Sequence, residues 1–186
     1  AEPLANTINL DTQNLQLLNN LGTYVNYNAY GSYLEDLHFM PDKIYREMAE
    51  YISPLDFIAS SSAIYQQLEN GYSEDMYSAE QVQPEYVTDN VAVFILPDQA
   101  WARRVSGVFS NNLANQYPDR AHAVVTYTSA NDYQVSVRAP LNNKVKADEL
   151  CASFATGGGR RAAAGINHLP PTGLTEFIAK LSQTYP

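Results

Sequence analysis

The sequence predicts an α/β fold over residues 89–186, preceded by a mainly helical segment over residues 1–88. Three observations carry this reading. The run Val91-Ala92-Val93-Phe94-Ile95-Leu96 is short and wholly apolar, as strands buried on both faces are. Behind it, strand-like and helix-like segments alternate to the end of the chain. Before it, large apolar residues recur three and four apart, the spacing of one helical face.

In the first half, Leu15, Leu18 and Leu21 predict a short helix over Asn14–Leu21, ended by Gly22. The aromatics from Tyr24 to Tyr33 suit either a strand or a tyrosine-lined loop. Pro41-Asp42 opens a helix with Ile44, Tyr45, Met48, Tyr51 and Ile52 on one face. Ser53-Pro54 breaks it and starts a second short helix through Phe57 and Ile58. Ser61 or Ser62 caps a third, with Ile64, Leu68, Tyr72 and Met76 in one stripe and Gly71 weakening its middle. The polar stretch from Glu80 to Asn90, with Pro84, reads as a linker.

In the second half, Pro97-Asp98 ends the apolar strand, and a helix follows with Val105, Phe109, Leu113 and Tyr117 four apart. Ala121–Thr128 is the next strand. Ser129-Ala130-Asn131-Asp132 is a turn cluster, and Tyr133–Val137 returns as the hairpin partner. Ala147–Phe154 is a short helix, 155–165 a glycine-rich loop, and 166–169 a last strand. Leu174, Phe177, Ile178, Leu181 and Tyr185 give an amphipathic closing helix. No internal repeat is present.

Composition bounds the function. The chain has 186 residues, 45% hydrophobic, enough apolar content for one globular domain or two small ones and too much for a disordered chain. No run approaches the roughly 18 apolar residues of a membrane span. The opening Ala1-Glu2-Pro3-Leu4 lacks the basic and apolar regions of a signal peptide. A single cysteine, Cys151, makes no internal disulfide and fits a reducing, cytoplasmic setting, where burial keeps it inert. His38, His122 and His168 are scattered, without zinc-ligand spacing.

The formal charge of −9 is unevenly shared. Residues 1–88 hold two basic residues against thirteen acidic ones, and residues 89–186 hold nine against seven, so −11 and +2 give −9. An acidic first half repels phosphates and excludes general nucleic-acid coating. In the second half, Arg103, Arg104, Arg138, Arg160 and Arg161 could converge on an anion.

The segment with most chemical content is Gly157-Gly158-Gly159-Arg160-Arg161-Ala162-Ala163-Ala164-Gly165. Ordering three adjacent glycines costs backbone entropy, which a row of bare N–H groups cupping an anion would justify. The two arginines add bidentate donors for phosphate oxygens. Ser106-Gly107, read at a helix start, offers further backbone donors. No Gly-x-Ser-x-Gly elbow exists. Trp101 either covers the helix entry or stacks on a base, and His168 takes a structural role near the glycines.

The nine-residue string resembles the signature of the DHHA1 domain, the C-terminal half of DHH-family phosphoesterases. The usual pattern is Gly-Gly-Gly-His, two variable residues, then Ala-Ala-Gly. The glycines, Ala163, Ala164 and Gly165 match, and Arg160 stands in the histidine position. Arg104-Val105-Ser106-Gly107 resembles the opening of that domain's first helix, and Ser136-Val137-Arg138 the strand that delivers an arginine to the same site. The likeness covers about residues 89–186. Residues 1–88 resemble, less specifically, the end of the preceding DHH domain and its connecting helix.

The resemblance implies a mixed-sheet domain with flanking helices that grips a nucleotide. It places Arg104, Ser106, Gly107, Arg138, Gly157, Gly158, Gly159, Arg160 and Arg161 on the phosphate. At position 160 an arginine keeps phosphate contact but gives up proton transfer. In the family, the DHH domain holds two metal ions, typically manganese, that activate water to attack a phosphodiester or phosphoanhydride. Its Asp-His-His and Asp-x-Asp motifs are missing here, and Glu35, Asp36 and His38 are the nearest approach to a ligand cluster. Two or three ligands from one short segment do not make a dinuclear centre.

The expectation is therefore the substrate-binding portion of a longer DHH protein, without metal of its own and inert alone. It would bind a nucleotide or short oligonucleotide and work with the absent DHH domain. The alternative is a non-enzymatic nucleic-acid-binding or dimerisation module, since DHHA1-like domains also end alanyl-tRNA synthetases. Abundant tyrosines in 1–88 lead to the further expectation of a homodimer.

Overall fold

The computed structural model describes residues 11–186 apart from Ser61, Ser129 and Ala130. The readings of Ala1–Leu4, of Ser61 as a cap and of Ser129-Ala130 as turn residues lie outside them. The chain divides into two compact units, one up to Glu74 and one from Asp75 onward.

The first unit is helical. Helix α1 spans Thr12–Asn28, its first turn capped by the Asp11 carboxylate, which accepts from Asn14 N at 2.7 Å. It runs through Gly22, which does not end it, and takes in Tyr24 and Tyr27, where the sequence suits a strand or loop. The reason is packing. Leu21, Tyr24 and Tyr27 are buried on one face of the helix, which outweighs the roughly 1 kcal/mol that an internal glycine costs.

Helices α2 (Pro41–Ala49) and α3 (Pro54–Ala59) begin where their prolines predict. Of the face expected on α2, Ile44 is buried, whereas Tyr45 is 73% exposed and Ile52, beyond the helix end, fully so. Helix α4 (Ala63–Glu80) carries Ile64 and Leu68 inward and, beyond the division at Glu74, buries Met76, and Ser62 Oγ accepts from Ile64 N at 3.2 Å as its cap. Gly71 has a use: a Cβ there would stand 2.5 Å from His38 Nε2. Phe57 and Leu68 centre the core of this unit.

The second unit is built on a six-stranded mixed sheet, in the order β1-β2-β3-β4-β6-β5. Its strands are β1 (Tyr86–Val87), β2 (Val91–Ile95), β3 (Ala121–Tyr127), β4 (Tyr133–Arg138), β5 (Gly157–Arg160) and β6 (Ala163–Leu169). Only β2 and β3 pair in parallel, joined by helix α5 (Ala100–Gln116), because a parallel pair needs a crossover. Two expectations change here. The polar stretch expected as a linker contains β1, paired antiparallel with β2. The glycine-rich loop is instead strand β5, the two-residue turn Arg161-Ala162 and the start of β6.

Strand alternation sorts the side chains onto two faces. One face carries Val91, Val93, Ala123, Val125, Val135 and Val137, packed with Leu150 and Cys151 of α6 (Ala147–Ala152) and Phe177 and Leu181 of α7 (Leu174–Thr184). Helix α5 packs against β3 and β4 and buries Val105, Phe109 and Leu113. No helix among the described residues is long and apolar enough to cross a membrane.

A candidate phosphate-binding face

Register places the candidate residues. Arg138 of β4 pairs with Ala163 of β6, and Ala163 pairs with Arg160 of β5. Residues directly opposite across strands share a face, so Arg138 and Arg160 stand on the same side of the sheet. Two strand spacings separate their backbones, about 10 Å, a gap two extended arginine side chains can close over one anion. The next row on that face is Ser136, Gly165 and Gly158. Between the arginines the floor is therefore Ala163, Gly165 and Gly158, bare of bulky side chains.

Each glycine of the triplet has a different reason. A Cβ on Gly157 would meet the Cys151 carbonyl oxygen at 1.8 Å, so β5 lies directly against the end of α6. Gly159 has φ of +145°, a region that disfavours side chains, and its Cβ would stand 2.5 Å from Ala164 Cα. Gly158 has nothing within 4 Å of a built Cβ and faces open space beside Arg160. These amides form no cupped row, because successive N–H groups in a strand point to alternate edges. The cradle expected from backbone amides is thus a sheet face flanked by guanidinium groups.

Arg138 is held in place. Its Nε donates to Asn111 Oδ1 of α5 at 2.8 Å, and its Nη1 to Ser136 Oγ at 2.9 Å and the Val137 carbonyl at 3.1 Å. Arg160 is exposed at the sheet edge, and Arg161 is exposed on the turn beside it. Asn111 and Ser136 are functional candidates that the sequence reading passed over. A register-dependent contact 27 residues apart leaves no local signal.

Three further expected site residues lie on helix α5. Arg104 pairs with Asp75, Nε to Oδ2 at 2.7 Å, with side-chain exposures of 11% and 9%. Such a pair is costly to break, so it fixes where the Arg104 guanidinium stands. Ser106 and Gly107 lie inside α5, which starts at Ala100, and Ser106 Oγ donates to the Arg103 carbonyl at 3.1 Å. Interior helix amides are spent on the helix ladder and cannot serve as an N-terminal anion site. Arg103 pairs with Asp98. Trp101 Nε1 donates to Gln99 Oε1 next to the helix entry.

Other reactive groups are quiet. Burial, then the Asp148 charge, pushes the Cys151 thiol up to about 12, far from a nucleophile's range. His168 is exposed, 3.8 Å from the Asp132 carboxylate. The Glu35–His38 segment does not suit a metal. Asp36 Oδ2 accepts from the Ser32 and Tyr33 amides at 2.9 and 3.1 Å, and His38 Nε2 lies 2.7 Å from Tyr27 Oη. Among the described residues no group of three or more metal-ligating side chains comes together.

Comparison with known proteins bears on the family and the fold. The DHHA1 domain model matches residues 88–185. No curated protein matches. Among solved structures, the pGpG-specific phosphodiesterase PggH from Vibrio cholerae superposes with a TM-score of 0.58 at 13% identity. That match covers 79% of this chain and 52% of that one. RecJ from Thermus thermophilus, solved with Mn2+, gives a TM-score of 0.62 at 13% identity. It covers 89% of this chain and 24% of that one, so the chain spans a quarter to a half of the relatives' length. At these identities the structures share the fold, and with the matched model over more than half its length, the chain belongs to the DHHA1 domain family.

Proposed function

We propose that this chain is the phosphate-gripping portion of a DHH-family phosphoesterase. The ligand is a nucleotide or short oligonucleotide, held over β4, β6 and β5. Arg138 and Arg160 clamp its phosphate, Arg161 adds charge, and Gly157–Gly159 keep the floor flat. The single observation behind this reading is the register that sets Arg138 and Arg160 on one face with only Ala163 between them. Guanidinium groups bind phosphate bidentately, which suits such a clamp.

Hydrolysis of a phosphodiester or phosphoanhydride belongs to the whole parent. A metal-bearing domain would supply the water activation there. No metal cluster forms among the described residues, so the 186-residue chain alone is proposed to be inert. The cytoplasm is the proposed setting, because the single buried thiol suits a reducing compartment. The test is incubation of the purified chain with bis(p-nitrophenyl) phosphate and manganese. Background rates are expected, and robust turnover would refute the inert reading.

The alternative, a nucleic-acid-binding or dimerisation module, draws on a separate observation. Leu34, Tyr45 and Ile52 of the first unit are exposed at 63%, 73% and 103%. Exposed apolar surface of this kind favours self-association. Sedimentation velocity should show a concentration-dependent dimer, and a monomer at high concentration removes this reading. For RNA contact, affinity would climb with oligonucleotide length and fall steeply with salt. Saturation by a mononucleotide selects the clamp instead.

A further inference from the structure

The face that carries Arg138 and Arg160 continues along the sheet. Tyr133 pairs with Leu169 and Val135 with Ile166, so between these pairs Gln134 alone stands opposite both Asn167 and His168. That is a β-bulge with its extra residue in β6, a feature that re-aims side chains. Tyr133, Val135, Ile166 and Leu169 are buried in the core, whereas Gln134, Asn167 and His168 are exposed. Alternation therefore puts Gln134 and Asn167 on the face of Ser136, Arg138 and Gly165. The bulge is pinned. Thr156 Oγ1 accepts from His168 N at 2.8 Å and donates to the His168 carbonyl at 3.0 Å. The Thr156 carbonyl accepts from Asn167 N at 3.2 Å. Three rows of different chemistry thus share one face: the two arginines, then Ser136 with Gly165 and Gly158, then the amides of Gln134 and Asn167.

We infer that Gln134 and Asn167 read the base of the nucleotide held by the clamp, and that this base is adenine. The inference rests on the clamp reading of the same face. From Arg138 to Gln134 is four residues along β4, about 13 Å. That is room for a phosphate at one row, a base at the other and a sugar over the bare glycines between them. Each amide offers both an N–H donor and a carbonyl acceptor. Asparagine and glutamine amides pair bidentately with the adenine N6 amino group and N7. Guanine and hypoxanthine show two acceptors there, O6 and N7, which call for an arginine or lysine. The amide row carries neither, and its flank is acidic, with Asp132 Oδ2 3.8 Å from His168 Nδ1.

The experiment is calorimetric titration of the full chain with adenosine monophosphate, inosine monophosphate and ribose 5-phosphate, which share a phosphate and differ at the base. Adenosine monophosphate should bind at least about fivefold tighter than either of the others, the lower end of what one bidentate amide pair discriminates. The side-chain amide NMR signals of Gln134 and Asn167 should move with adenosine monophosphate and stay still with ribose 5-phosphate. In the Gln134→Ala/Asn167→Ala variant the advantage of adenosine monophosphate should vanish; if the variant does not fold, the wild-type amide signals decide. Equal or reversed affinities, or amide signals that adenosine monophosphate leaves unmoved, overturn the inference and leave the clamp standing. Failure of all three probes to bind removes the clamp and this inference with it.

Discussion

At the residue scale, the glycine triplet separates structure from binding. Gly157→Ala drives a methyl group into the Cys151 carbonyl, a backbone atom that cannot step aside. We predict a loss of several kcal/mol, in the range of severe overpacking and backbone clash. Gly158→Ala meets nothing within 4 Å and should leave the melting temperature within a few degrees of wild type. Because Gly158 lies on the floor beside Arg160, the same methyl group should weaken nucleotide binding several-fold. Thermal melts with calorimetric titration of both variants check this. A stable Gly157→Ala, or a Gly158→Ala that melts early, contradicts the packing described. The string Gly157–Gly165 stood out in the sequence as a candidate because its composition is unusual. The separate reason for each glycine was not, because it depends on what lies across the sheet and under it.

At the element scale, periodicity revealed most helices and strands. Pro41, Ser53-Pro54 and Ser62 gave starts that the structure keeps, since caps and prolines act locally. Strand β2 and the β3–β4 pair were equally readable from their apolar runs. Three elements were not, the first being β1, which lies in the polar stretch expected as a linker and is made a strand by pairing with β2. Helix α1 passes Gly22 because burial of Tyr24 and Tyr27 beyond it offsets the glycine. Strand β5 has three glycines in four residues and therefore no side-chain alternation to read; pairing with β6 makes it a strand. Helix α5 was recognised by its apolar spacing, but its start at Ala100 moves Ser106 and Gly107 into its interior. Its contribution to the site is Asn111, which fixes Arg138 Nε. Asn111→Ala should leave the fold intact and lower nucleotide affinity about tenfold or more, one hydrogen bond to a charged group. An unchanged affinity in calorimetry would show that Arg138 needs no support from α5.

At the scale of the whole molecule, His122 ties stability to pH. Its pKa falls from the ordinary 6.5 to about 4 on folding. Between these values the unfolded chain holds a proton that the folded chain does not. This contribution is therefore fully present above pH 6.5 and is lost as pH falls toward 4. At about 1.4 kcal/mol per pH unit, it amounts to about 2 kcal/mol between about pH 6.5 and about pH 5. Urea melts of wild type and His122→Phe should diverge over that interval, the variant showing the flatter line. Parallel lines would mean that the imidazole takes up its proton as readily in the folded protein as in the unfolded chain. The uneven charge of the chain was plain in the sequence, and it leaves the cations in the half that carries the sheet. That Arg138 and Arg160 share a face was not, because they are far apart along the chain and only the β4-β6-β5 order brings them together.

The central claim is the arginine clamp, and titration with adenosine monophosphate followed by amide and arginine side-chain NMR tests it most directly. Shifts should cluster at Ser136, Arg138, Gly158, Arg160 and Gly165, and binding should be lost in the Arg138→Ala/Arg160→Ala double variant while the fold remains. Shifts that fall on another surface, or affinity that survives without both guanidinium groups, would contradict it.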